Sequence, residues 1–353
     1  MSDLRAPFPW FGGKSRAAHL AWQALGDVPN YVEPFAGSLA VLLGRPGSHR
    51  GTVETVNDLD AYLANFWRAL AHDPDEVTKH ADWPVNETDL TARHAWLVSP
   101  AGRARVERMH ADPDHFDAKV AGWWVWGLCC WIGSGWCSGR GPWVTDGETL
   151  SKLPHLGNPG QGVNRQLPHL GNPGQGVNRQ LPHLGDTGRG VNRKLPHLGD
   201  TGREPLLAYM WGLADRLRKV RVCCGDWRRV LTDGAMSHPR GGLVGVFLDP
   251  PYADTADRCA DVYAQDSLTV AHDVREWALA HGDDERLRIV LAGYEGEHTM
   301  PGTWRAVEWK SAGAYSTTRL AQEQDTQAYA NRARERLWCS PHCLRPAEQG
   351  VLW

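Results

Sequence analysis

The stretch "GGLVGVFLDPPYADT", residues 241–255, decides the fold of this chain. Its first eight residues are apolar or glycine without polar alternation, which predicts a parallel strand buried on both faces. Pro250 and Pro251 fix φ and remove two backbone donors, so the strand has to end at Asp249. Ligands of open α/β sheets bind at the carboxyl ends of such strands. The stretch therefore predicts a carboxylate, a proline carbonyl and the Tyr252 ring at a ligand-binding edge; a proline-stiffened loop with a capping aspartate is the alternative.

Two N-terminal segments predict further strand ends at the same edge. In "YVEPFAGSLAVLL" (31–43) the first residues predict a short strand, a tight glycine turn follows, and "LAVLL" begins a helix. The segment "TVETVNDLD" (52–60) predicts a second strand that ends at Asn57 and Asp58. An acidic residue at this distance from a glycine turn commonly binds ribose hydroxyls. The N-cap of the following helix is the alternative role for Asp58, and the two roles are compatible.

The two ends of the chain complete the pattern. The segment "FPWFGGKSRAAHLAWQAL" (8–25) has a Gly-Gly turn carrying Lys14, and its apolar spacing then predicts a helix. The segment "LRIVLAGYEGEH" (287–298) predicts a buried strand ending at Tyr294, and residues 305–339 predict two closing strands.

Four motifs, "PWFGGK" (9–14), "VEPFAGS" (32–38), "VNDLD" (56–60) and "LDPPY" (248–252), together resemble the alpha-group, Dam-like DNA adenine methyltransferases. The likeness covers residues 7–70 and 220–340, whereas residues 75–205 match the family by position only. It implies an α/β fold, a Rossmann-like S-adenosylmethionine-dependent methyltransferase sheet built from residues 1–71 and 206–353. An inserted, partly helical target-recognition region would occupy residues 72–205.

The resemblance also implies roles for individual residues. The segment "VCCGDWRRVL" (222–231) looks like the part of the family that binds the cofactor's adenine. The implied S-adenosylmethionine-binding residues are Trp10, Gly12, Gly13, Lys14, Glu33, Pro34, Phe35, Ala36, Gly37, Asp58, Asp226 and Asp249. The implied catalytic residues are Asp249, Pro250, Pro251 and Tyr252.

The chemistry explains the rigid tetrapeptide. The amino nitrogen of adenine is a poor nucleophile because its lone pair is delocalised into the ring. Asp249 and the Pro250 carbonyl would each accept one N–H, while Tyr252 stacks on a base flipped out of the helix. Transfer would be direct, without a covalent enzyme intermediate or a metal; "CSPHC" (339–343) is a weak zinc pattern. Amino methylation of cytosine, and DNA binding by a non-catalytic methyltransferase scaffold, are the alternative functions.

The middle of the chain departs from the family. Six tryptophans lie in "GWWVWGLCCWIGSGWCSGRGPW" (122–143). Residues 123, 126, 127, 130, 131 and 134 recur at helical spacing, which favours the core of a small helical subdomain, with stacking on DNA bases as the alternative. A 14-residue repeat follows in residues 153–204, beginning "LPHLGNPGQGVNRQ". Residues 151–204 hold seven Lys or Arg against three Asp or Glu. A basic arm that contacts DNA and a passive insertion remain equal interpretations.

Composition limits the partners. The net charge of −3 restricts any nucleic-acid surface to a local patch, for which the candidates are Arg165, Arg179, Arg193, Lys310 and Arg319. Apolar runs fall short of the roughly 20 residues that cross a bilayer, and eight scattered cysteines favour a reduced, cytoplasmic chain without a membrane partner. The expected partners are double-stranded DNA and a cognate restriction endonuclease, with the enzyme itself a monomer or weak dimer.

Overall fold

The structure, a computed structural model, describes most of the chain outside the repeat array. The described residues are 4–10, 14–48, 53–112, 114–131, 136–137, 143–145, 150–152, 203–236, 242–251, 270–309 and 335–345. The repeats lie outside these ranges, so both interpretations of them stay open.

A seven-stranded sheet forms the centre of the described structure. Its strands are β1 (Asn30–Glu33), β2 (Val53–Asp58), β5 (Val220–Cys224), β6 (Val244–Leu248), β7 (Leu287–Tyr294), β8 (Arg305–Glu308) and β9 (Glu335–Cys339). Their order is β5-β2-β1-β6-β7-β9-β8, and β9 pairs antiparallel with both β7 and β8. The five strands from β5 to β7 are parallel. Counted in chain order within the sheet, this is 3-2-1-4-5-7-6, which differs from the doubly wound 3-2-1-4-5-6 order by one inserted antiparallel strand.

The helices follow the sequence patterns. They are α1 (Ala18–Leu25), α2 (Ala40–Leu43), α3 (Ala61–His72), α4 (Pro74–Ala81), α5 (Glu87–Val98), α6 (Pro100–Glu107), α7 (Ala118–Cys130), α8 (Arg203–Leu217), α9 (Asp233–Met236) and α10 (Val270–His281). A separate two-stranded ribbon pairs β3 (Trp143–Thr145) with β4 (Leu150–Lys152). No helix among the described residues is long and apolar enough to cross a membrane.

The predicted strand ends are confirmed. Strand β6 ends at Leu248, directly before Asp249, and its five residues are all buried. Strand β2 ends at Asp58 and β7 at Tyr294, as the patterns predict. The two closing strands predicted in residues 305–339 are β8 and β9.

The tryptophan-rich segment forms core, as the favoured interpretation predicts. Helix α7 buries Trp124 and Trp126 completely, and Trp131 and Trp136 are also buried. This core is continuous with that of the sheet domain, because the Trp124 ring lies 5.3 Å from Phe8. A glycine is required at position 127, where a Cβ would lie 1.8 Å from the Trp136 ring. The half-buried Trp123 already contacts Arg93, Lys119 and Trp96, and base stacking by these tryptophans stays a prediction.

Candidate active site

The reversal of strand order places two carboxylates side by side. Strands β1 and β6 are neighbours, but the chain continues from β1 toward β2 and β5 on one side and from β6 toward β7 on the other. Such a reversal opens a crevice at the carboxyl ends of the strands, which is where open α/β sheets bind ligands. Glu33 ends β1 and Asp249 follows β6, so both lie at this crevice.

An ion pair joins the first motif to the last. The Lys14 ammonium lies 2.9 Å from Asp249 Oδ1, and the two side chains are only 4% and 21% exposed. Burial raises the pKa of Asp249, and the neighbouring Lys14 opposes that rise. The Lys14 ammonium also lies 5.8 Å from the centre of the Trp309 ring. The structure therefore brings together two predicted site residues that are separated by most of the chain.

The glycine turn after β1 is held by three neighbours. Gly37 has a φ of +47°, and its N–H donates to Asp58 Oδ2 at 2.9 Å. Its carbonyl accepts a bond from the Trp67 indole at 3.0 Å. A Cβ at this position would lie 2.7 Å from Trp10 Nε1, so the turn needs glycine for both its conformation and its space. Predicted residues Trp10, Gly37 and Asp58 thus form one unit.

Asn57 ties three strand ends together, and sequence reasoning assigned it no role. Its side-chain amide donates to the Pro34 carbonyl at 3.1 Å and to the Gly225 carbonyl at 2.9 Å. Its own carbonyl accepts from the Ala36 N–H at 2.9 Å. The signal that could have revealed it is an amide side chain near the end of a buried strand, because such a group needs hydrogen-bond partners.

The helix-cap role considered for Asp58 is wrong. Asp60 is the N-cap of α3 and accepts from the Tyr62 and Leu63 N–H groups. Asp58 instead accepts from the Gly37 and Asp60 N–H groups through its two different oxygens. Burial raises the pKa of Asp58 to about 6, and these backbone bonds work against the rise. Beside it, Leu59 is 47% exposed, which is unusual for a large apolar side chain at a buried strand end.

Glu33 is the most strongly perturbed carboxyl group at the crevice. It is 2% exposed and accepts a hydrogen bond from the Tyr31 hydroxyl at 2.9 Å. Burial raises its pKa to about 8; the Tyr31 bond lowers it, and the negative charge of Asp249 raises it further. Among the residues that the structure describes, the crevice therefore holds three partly or fully buried carboxyl groups, including Asp58, and the ammonium of Lys14.

Asp226 lies at the end of β5 with an exposed carboxylate. Its side chain is 54% exposed and accepts from the Arg228 N–H at 2.9 Å. The following residue, Trp227, is buried, and its ring lies 6.1 Å from that of Phe35 in the glycine turn. The predicted residues Phe35 and Asp226 are thus connected through Trp227. Pro34 and Ala36 belong to the same turn, while Pro250 and Pro251 continue from Asp249 as non-strand backbone.

Eight predicted site residues lie outside the described part of the chain. They are Gly12, Gly13, Tyr252, Arg165, Arg179, Arg193, Lys310 and Arg319. Their predicted roles remain predictions.

The strand order is that of a Rossmann-like methyltransferase sheet. Its crevice brings together residues of the first and the last motif, Lys14 and Asp249. Residues 10–95 match the family of D12 class N6 adenine-specific DNA methyltransferases. This match confirms the resemblance drawn from the motifs and, with it, the enzyme class, an adenine-specific DNA methyltransferase. It includes the glycine turn and Asp58 and ends well before Asp249. A search of curated proteins found no relative that matches the chain.

Proposed function

We propose that this chain transfers a methyl group from S-adenosylmethionine directly to the exocyclic amino nitrogen of an adenine flipped out of double-stranded DNA. The family match supports adenine-specific DNA methylation in general. The donor, the flipped base and the residue roles are the proposal. The observation that carries it is the 2.9 Å ion pair between Lys14 and Asp249 at the crevice where the strand order reverses.

The charge of the crevice fits a cationic cofactor. S-adenosylmethionine supplies an electrophilic methyl group on a positively charged sulfur and also carries an ammonium group. Glu33 and Asp249 are close enough for the charge of one to raise the pKa of the other, and Lys14 is the neighbouring cation. A bound cation would offset this repulsion and favour the ionised carboxylates. The donor set of the crevice therefore fits this cofactor.

The strand ends offer contacts along the whole length of such a molecule. The turn around Gly37 is proposed to lie beneath the amino-acid part; the missing Cβ of Gly37 leaves room for the Trp10 ring, which packs against this turn. Asp58 has accepting capacity beyond its two backbone bonds and is proposed to hold the ribose hydroxyls. Exposed Leu59 and the exposed carboxylate of Asp226 are proposed to bind the face and the amino group of the cofactor's adenine.

The residues after β6 are proposed to prepare the target amine. Lys14 binds Asp249 Oδ1 and fixes the carboxylate, so that the group can accept one N–H of the amine through its other oxygen. The Pro250 carbonyl would accept the second N–H, which favours a pyramidal nitrogen with a localised lone pair. Rigid prolines suit this role, because a displacement of about 1 Å can lower a rate about 100-fold. Tyr252 would stack on the flipped base.

Nucleoside analysis tests the proposal. DNA would be isolated from cells that express the wild-type chain or the Asp249→Asn variant, and digested to nucleosides. N6-methyladenine with the wild type only is the expected result. Methylation of the cytosine amino group would support the cytosine alternative, and DNA binding without any methylated nucleoside would support the non-catalytic one.

A further inference from the structure

A groove next to the Lys14–Asp249 pair has no role in the proposed chemistry. It encloses about 420 Å³ and is lined by Arg16, His19, Leu20 and Trp309. Trp309 forms the boundary with the active site, because its ring centre lies 5.8 Å from the Lys14 ammonium. A molecule in this groove would therefore lie one side chain away from the reacting groups.

The groove opens on the edge of the sheet where the reaction is proposed to occur. Helix α1 leads into β1, a central parallel strand, and packs against β6 and β7. A helix that precedes a parallel strand and packs on the sheet begins near the carboxyl ends of the strands. Arg16 and His19 flank this beginning, so they lie on the same edge as Asp249.

The lining side chains offer donors and no carboxylate. Arg16 and His19 are exposed, and neither has an ion-pair partner within the described part of the chain. The N–H groups of Ala17 and Ala18, at the start of α1, already donate to the Lys14 carbonyl, so the proposed ligand contacts are those of side chains. Trp309 is 6% exposed, and its indole N–H finds no acceptor among the described residues. A buried donor without an acceptor is costly and points to a ligand that supplies one.

We propose that this groove binds a backbone phosphate of the target DNA strand beside the flipped adenine. The inference rests on the proposed function, because it assumes a DNA substrate at Asp249. A phosphate supplies several acceptor oxygens and a negative charge, which match the donors of an arginine, a histidine and an indole N–H. Such a contact fixes the position of the strand and carries no sequence information.

The first experiment compares two arginine variants of the full chain. Arg16→Gln removes a proposed phosphate contact, and Arg218→Gln is the matched control, since Arg218 is exposed before β5 and therefore lies at the opposite edge of the sheet. Binding to a duplex that carries the methylated site would be measured over a salt series. We expect Arg16→Gln to weaken binding several-fold and to reduce the log–log salt slope by about 0.9, while Arg218→Gln matches the wild type.

A second arm removes the phosphate charge from the DNA. Neutral methylphosphonates would replace single phosphates near the target adenine, one duplex at a time. One position should weaken wild-type binding and leave Arg16→Gln binding unchanged, which would show that Arg16 and that phosphate form a pair. Trp309→Phe, which removes the indole N–H, should weaken binding of the unmodified duplex about tenfold. Its melting temperature reports any structural effect separately.

The outcomes separate this inference from the proposed function. If the wild type methylates the duplex but Arg16→Gln and Arg218→Gln bind it equally well, the phosphate site is wrong and the proposed function stands. The same conclusion follows if Arg16→Gln keeps the full methylphosphonate response. If the wild type neither binds nor methylates DNA, the proposed function fails and this inference fails with it.

Discussion

Two buried glutamates on neighbouring strands differ in whether nearby positive charges compensate them. Glu54 on β2 is 9% exposed and lies 3.0 Å from the Arg45 guanidinium and 2.7 Å from that of Arg216. Glu33 on β1 is 2% exposed; it accepts a hydrogen bond from the Tyr31 hydroxyl, and the negative charge of Asp249 repels it. The first carboxylate is compensated within the protein, whereas burial raises the pKa of the second to about 8.

We interpret Glu54 as a structural residue and Glu33 as part of the candidate active site. The Arg45–Glu54–Arg216 cluster joins the region after α2 to β2 and α8, and Arg45 also stacks on Trp22 at 4.9 Å. It stabilises the packing of these elements and requires no ligand. At the opposite edge, the described residues place Glu33, Asp58 and Asp249 near Lys14, and such concentrations of perturbed groups mark functional sites. Under the proposed function, the positive charge of the bound methyl donor would compensate these carboxyl groups.

The largest expected effect is on the rate of methyl transfer, and it comes from a substitution in the crevice. Asp249→Asn keeps an oxygen acceptor for Lys14 but removes the negative charge that would receive the target amine. We expect the rate of methyl transfer to fall about 100- to 10,000-fold, with cofactor binding largely retained. Single-turnover methylation measures the rate, and Asp215→Asn, on the exposed face of α8, is the control. Near wild-type turnover in Asp249→Asn would remove the central role of this carboxylate.

A substitution in the Arg45–Glu54–Arg216 cluster should instead change the free energy of unfolding. Glu54→Gln leaves two buried or partly buried arginines without their counter-charge, and breaking such a cluster typically costs about 3 kcal/mol or more. We expect this loss in the free energy of unfolding, measured in urea, with methylation per folded molecule unchanged. The exposed Glu285→Gln is the matched control. A Glu54→Gln protein as stable as this control would show that the cluster is not structural.

Glu33→Gln should raise the free energy of unfolding, whereas Glu54→Gln should lower it. The folded-state pKa of Glu33, about 8, lies above its ordinary value of 4.5, so ionisation of this group makes the cofactor-free protein less stable as pH rises from 4.5 to 8. The variant should nearly match the wild type at pH 4.5 and exceed its free energy of unfolding by about 4 kcal/mol near pH 8. Urea unfolding at both pH values measures this gain. A loss of stability at pH 8 would contradict the assigned difference between Glu33 and Glu54.

A smaller effect distinguishes two neighbouring aspartates. Asp58→Ala should weaken S-adenosylmethionine binding by about 1 to 3 kcal/mol, because buried polar partners lose their acceptor. Asp60→Ala removes the N-cap of α3 and should lower the free energy of unfolding by about 1 kcal/mol, with cofactor affinity retained. Calorimetric titration and urea unfolding measure the two quantities. Equal cofactor affinities for both variants would show that Asp58 also acts only on structure.

The sequence predicted those parts of the site that depend on backbone pattern. Apolar runs interrupted by Pro250 or by the turn at Gly37 fixed the strand ends, because prolines and a left-handed glycine restrict the backbone whatever surrounds them. The order of the four motifs was enough for the family resemblance. The helical spacing predicted the buried Trp126, Gly127 and Cys130 of helix α7, while Trp123 of the same predicted face is half-buried.

The parts that sequence reasoning missed depend on contacts between distant segments. The bond from Lys14 to Asp249 spans most of the chain, and the two bonds of Asn57 join three strand ends. Asp58 and Asp60 are both acidic residues before α3, and only the three-dimensional position of their oxygens shows that Asp60 is the cap. Likewise, the arginines that compensate Glu54 lie at positions 45 and 216, which no local pattern connects.

The central claim is that the bound methyl donor supplies the positive charge that compensates Glu33. Proton release on cofactor binding tests this claim most directly. At pH 7 a Glu33 with a pKa of about 8 is mostly protonated in the free protein, and a bound cation should drive its ionisation. Titration calorimetry at pH 7, in buffers with different ionisation enthalpies, counts the protons released per S-adenosylmethionine. The account predicts release of most of one proton by the wild type and by Glu285→Gln, and little or none by Glu33→Gln. Equal release by the wild type and Glu33→Gln, or none by either, would contradict it.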